Sequence, residues 1–142
     1  MVIMLSFPNL NDDRRTRRSD DPSLAIGFQL EQVVRDFGLD CCVLVDEGGQ
    51  VIALSPDSPT PLMEGLARLA PMMAMAPEHR GSHMAPLRRH RPDLGIDEVT
   101  CCVFRAGGRR MFIAAVGKEA VMNEVAIFRA ITGTRRIHSA GE

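Results

Sequence analysis

Four cysteines stand in two adjacent pairs, Cys41-Cys42 and Cys101-Cys102. Thiolates attack disulfides and bind soft metals, so redox exchange and zinc capture are the reactions such residues suggest. Their spacing argues against both. Each pair opens an apolar run, Cys41-Cys42-Val43-Leu44 and Cys101-Cys102-Val103-Phe104, and consecutive side chains of a strand point to opposite faces. Neighbours divided in this way cannot readily close a disulfide or grip one ion. One cysteine from each run, if the two strands were neighbours, would supply two of the four ligands usual for structural zinc. We therefore read these thiols as small, buried, reduced apolar side chains.

The remaining candidates are weaker. His79 and His83 are spaced by four and lie near Met84 and His90, a ligand set suited to copper or zinc on a helix face. Gly81 between them and Pro86 after them oppose that helix, and Glu78-His79 is not the His-Glu-x-x-His order of zinc proteases. Gly48-Gly49 and Gly107-Gly108 lack the Lys-Ser/Thr helix start that cradles phosphate. Ser55, Ser58 and Ser82 have no nucleophile-elbow context, and Asp46-Glu47 beside Gly48-Gly49 is the chemistry of a tight turn. No catalytic, cofactor-binding or metal-binding set emerges, and the chain reads as a non-enzyme.

The elements that position these residues follow from periodicity. Each cysteine run is followed by a double glycine and a second apolar run, Val51 to Leu54 and Met111 to Val116. This spacing predicts two antiparallel hairpins. Cys41, Val43 and Val45 face one way while Cys42 and Leu44 face the other, so the strand should lie in a sheet covered on both sides. Ile26, Leu30, Val33 and Phe37 predict a first amphipathic helix opened by Asp21-Pro22 and ended at Gly38. A second helix starts within residues 58–61 on the stripe Leu62, Leu66, Leu69 and Met73, with Pro71 expected to kink or divide it. Residues 77–95 read as a loop or short irregular helix. The second hairpin is expected over 96–104 and 111–116, and a last helix over 119–132, with Val121, Val125 and Phe128 toward the core and Gly133 as its stop.

The expected fold is α+β: a single antiparallel sheet built from two hairpins with helices on both faces, in the order helix, hairpin, helix, hairpin, helix. Residues 1–21 read as a mobile tail in which Arg14, Arg15, Arg17 and Arg18 are balanced by flanking acids. The domain is expected over 22–134 and a frayed C-terminal tail over 135–142.

Composition narrows the function. Across 142 residues, 17 Lys plus Arg nearly cancel 18 Asp plus Glu, and Trp and Tyr are absent. Neither a global field nor the aromatic platforms favoured for base stacking are present, which disfavours nucleic acid. No stretch approaches the roughly 20 apolar residues that span a bilayer, and Met1 to Pro8 lacks the basic start of an export signal. A cytoplasmic protein is expected.

At this point the chain resembles the Roadblock/dynein light chain family and its longin-like and profilin-like relatives. The carrying residues are Val43-Leu44-Val45-Asp46-Glu47-Gly48-Gly49-Gln50-Val51-Ile52-Ala53, Met63 to Ala70, and Met111 to Gly117 leading into Lys118 to Ile131. The family carries three strands after its central helix; two are legible here, and a third would fall within 77–95. The resemblance implies a noncatalytic dimeric scaffold or regulator without cofactor, often acting on small Ras-like GTPases or cytoskeletal motors.

The expected interaction surface centres on the second helix: Leu62, Met63, Leu66, Met72 and Met75, with Arg88 and Arg89 beside it. Methionine is adaptable at binding surfaces, and Met72 and Met75 fall off the packing stripe. Homo-oligomerisation through residues 60–76 and a protein partner, a small GTPase among them, are the expected associations. Two alternatives remain: a small-ligand sensor of the GAF or PAS type, and a thiol-based redox protein. A pocket between sheet and helix would favour sensing, whereas a flat apolar patch rimmed by Arg would favour a partner.

Overall fold

The computed structural model describes residues 22–141. The N-terminal segment and its arginines, together with Glu142, lie outside the described residues. Helix α1 (Pro22–Phe37) buries Ile26, Leu30 and Val33. It ends where Gly38 takes a φ of 63°, a left-handed turn that glycine enters without steric cost. Strands β1 (Cys41–Asp46) and β2 (Val51–Ser55) form the first hairpin, and β3 (Val99–Ala106) and β4 (Arg109–Val116) form the second. At the tips, Gly49, Gly107 and Gly108 all have positive φ, as the turn residues require.

The four strands form one antiparallel sheet in the order β2-β1-β4-β3. The hairpins meet through β1 and β4, where Val43 pairs with Ala114 and Leu44 with Ile113. These central strands are buried on both faces: every residue of β1 is buried, as is every residue of β4 from Met111 onward. Alternation then divides the core in two. Cys42, Leu44, Ile113 and Ala115 pack with α1 and the last helix, α4 (Ala120–Gly141). Cys41, Val43, Val45, Ala114 and Val116 pack with α2 (Pro61–Met75) and the short α3 (Met84–Arg88). The α+β class and the helix-hairpin-helix-hairpin-helix order are those expected from the sequence.

Three local expectations are corrected and one is met. Pro71 does not divide α2, which runs unbroken from Pro61 to Met75. The second hairpin begins at Val99, because residues Ile96–Glu98 form a 3-10 turn. Residues 77–95 hold a 3-10 segment (Pro77–His83) followed by α3, the short irregular helix expected there, and the family's third strand does not fall within them. Gly133 does not stop α4, which continues to Gly141, so no tail begins at residue 135. Glycine is suited to that site because α1 crosses there: a Cβ at 133 would press on the Gln29 side chain.

Candidate functional site

Helix α2 owes its start to Thr60, whose Oγ1 accepts a hydrogen bond from the Met63 N–H at 3.2 Å, with Pro61 in the first turn where its missing N–H costs nothing. That start sets the helix phase. Met63, Leu66, Ala67, Leu69, Ala70 and Met73 turn to the sheet, and α3 approaches so closely that a Cβ on Gly65 would lie 3.3 Å from Leu87. Met63 and Leu66, expected on the interaction surface, are in this core and offer nothing to a partner. Leu62 is half-buried at the start of the helix. Met72 and Met75 are 47% and 55% exposed, and their spacing by three places them on one outward face. Arg88 and Arg89 are exposed at the end of α3, a separate element, and the Arg88 Nε donates to the Leu94 carbonyl at 2.8 Å.

The opposite layer holds a surface that the sequence reading missed. The core-facing stripe assigned to α4 is reversed: Val121 and Phe128 are each 71% exposed and Val125 48%, whereas Ala126, Ile127, Ala130 and Ile131 are buried. The helix carries two apolar stripes, and that duplication was the available signal. Only the small residues let α1 close on α4, and that closure, with Arg129 paired to Asp36 at 3.1 Å and stacked over Phe37, turns the bulkier stripe outward. Between the two helices runs a groove of about 820 Å³ whose lining includes Gln29, Gln32, Glu124, Val125, Phe128 and Arg129. It opens on the outer side of the helical layer and not between sheet and helix, with Val125 and Phe128 as its apolar part and Glu124, Arg129 and Arg136 as charged residues beside them.

The cysteine chemistry is constrained by the sheet. Strand β4 separates β1 from β3, so Val43 and Cys101 both register with Ala114 from opposite sides. Cys41 and Cys101 thus belong to strands two positions apart, about 9–10 Å between backbones. Burial pushes the Cys41 thiol up to about 12, with Asp40 reinforcing the shift, and burial pushes Cys101 up to about 12 as well. Cys42, in the apolar layer between sheet and α1, is raised further by burial, and Cys102 is raised by its partial burial. Thiols held protonated in this way are poor nucleophiles.

Among the described residues no group of three or more His, Cys, Asp or Glu is placed to hold a metal ion. His79 and His83 lie in a 3-10 segment, where three residues complete a turn and a spacing of four no longer shares a face. Met84, the nearby soft ligand, is fully buried in the α2 layer. Asp46 acts within its turn: Oδ1 accepts from the N–H groups of Gly48 and Gln50, both at 2.9 Å, while Oδ2 pairs with Arg109 at 2.9 Å. That bond set ties one hairpin tip to the other and leaves no carboxylate oxygen free for acid-base work.

No family model matches the chain, and no curated protein matches it. A solved structure does. The chain shares a fold with Myxococcus xanthus MglB. The match covers 99% of this chain and 97% of MglB, with a TM-score of 0.51 and 13% identity. At that identity MglB speaks for architecture alone: α+β, longin-like, with one antiparallel sheet between helical layers. No helix among the described residues is long and apolar enough to cross a membrane.

Proposed function

We propose that this protein is a noncatalytic interaction module of the Roadblock type, a dimeric scaffold or regulator whose partner is a small Ras-like GTPase. The observation that carries the reading is the longin-like architecture shared with MglB, joined to the sequence resemblance around the first hairpin. A fold alone does not fix a function, so the surface chemistry matters. Helix α2 presents Met72 and Met75 outward, flexible apolar side chains of the kind that adapt to a partner. The groove between α1 and α4 has the form of a partner surface and not of an enclosed sensory pocket, and the protonated thiols weigh against redox chemistry.

Two measurements test the reading. Solution mass is compared between the wild type and Met72→Glu plus Met75→Glu; the variant should form a smaller assembly at unchanged thermal stability, and equal masses would end the α2 self-association. A fluorescently labelled Ras-like GTPase from the same cell, loaded with GDP or a non-hydrolysable GTP analogue, is then titrated with the protein. Saturable binding that differs between the nucleotides supports the reading, and no binding in either state rejects the partner class.

A further inference from the structure

The outward stripe of α4 has a periodicity of its own. Val121, Val125, Phe128 and Thr132 follow at steps of four, three and four, the spacing of a coiled-coil seam. Met122, another exposed apolar side chain, stands at its edge. By helical spacing Glu124 and Arg129 fall on opposite flanks of the stripe, Arg129 pairing with Asp36 of α1, and both line the α1–α4 groove. Among the described residues Glu124 makes no ion pair, so its charge is uncommitted within the chain.

From this arrangement we propose that α4 pairs with α4 of a second copy, side by side and parallel, through Val121, Val125 and Phe128. The charges decide both the partner and the direction. In a parallel pair, a residue at one flank faces the opposite flank of the neighbouring helix five positions further on. Glu124 therefore meets Arg129 of the other copy, and the two-fold axis repeats the contact. An antiparallel pair would bring Glu124 to Glu124 and Arg129 to Arg129, a repulsive match. Arg129 is half-exposed although paired with Asp36, and it lines the α1–α4 groove, so a second carboxylate can reach it. This contact is independent of the α2 reading, since α2 and α4 cover opposite faces of the sheet.

The test begins with the full chain carrying Met72→Glu plus Met75→Glu, so that the α2 face is disabled. Sedimentation equilibrium should still find a pair, and adding Val125→Glu plus Phe128→Glu should weaken that pair at least about 100-fold. Because both residues are exposed in the isolated chain, the fold itself should be kept, read as an unchanged far-ultraviolet circular dichroism spectrum. On the same background, Glu124→Arg alone and Arg129→Glu alone should each dissociate, while a mixture of the two forms a heterodimer with complementary charges. A monomer before the α4 substitutions, or a mass unaltered by them, overturns the proposal. Mixed chains that fail to associate overturn the parallel arrangement.

Discussion

The Asp46 carboxylate is almost wholly buried, and both of its oxygens are engaged. Replacing it with alanine strands the N–H groups of Gly48 and Gln50 in a partly buried turn, which should lower the unfolding free energy by about 1–3 kcal/mol in urea titrations. Arg109 is half-exposed, so solvent screens its side of the pair and Arg109→Ala should cost less than about 1 kcal/mol. The reverse ranking would contradict the turn assignment. Gly117 is constrained by a different cause. Asn123 is buried and donates from Nδ2 to the carbonyls of Gly117 and Glu98, and a Cβ at 117 would collide with the Asn123 Oδ1 and with Leu39. Gly117→Ala should therefore destabilise by about 1–3 kcal/mol through overpacking, read as a lower urea midpoint with an unchanged slope.

At the scale of an element, α4 separates packing from display within a single turn. Ile127 is buried at 4% exposure while its neighbour Phe128 is open to solvent. Ile127→Ala should cost about 2–5 kcal/mol by leaving a cavity against the sheet, and Phe128→Ala, measured on chains dilute enough to be dissociated, should stay within about 0.5 kcal/mol. Thermal melts of the two variants check the assignment, and comparable losses would refute it. Hairpins and helix starts were legible in the sequence because their signals are local: the double glycines, period-two alternation through Cys41 to Val45, and Thr60-Pro61 before an apolar run. The face and the end of α4 were not. Both depend on where α1 lies, since Ala126, Ala130 and Gly133 admit a crossing helix that Val125 and Phe128 would hold off. The same dependence explains why Met63 and Leu66 were placed on a surface although the sheet claims them.

For the whole molecule, the thiols couple the core to alkaline pH. Folding raises Cys41 and Cys101 from 9.0 to about 12, and Cys42 also rises with burial. Below pH 9 these groups are protonated in both the folded and the unfolded chain, and their contribution is complete. As pH climbs from 9 toward 12 the unfolded chain loses these protons while the folded one keeps them, so stability falls. Each such thiol should contribute about 1.4 kcal/mol of loss per pH unit. The chain has no Tyr and its sole Lys is Lys118, which leaves this window largely to cysteine. Urea unfolding between pH 8 and 11 measures the slope; Cys41→Ala should reduce it by one thiol's share, and an unchanged slope would contradict the assignment.

The sequence by itself determined the pieces: two hairpins whose cysteine runs are apolar on both faces, helices between them, and hence a doubly covered antiparallel sheet. Those outcomes rest on turn chemistry and alternation, which act over a few residues. Tertiary structure alone decided that β1 and β4 meet at the centre and which of two apolar stripes on α4 is hidden. The physical reason is that burial belongs to a pair of surfaces. A stripe becomes core only when another element fits it closely, and α1 fits Ala126, Ala130 and Gly133.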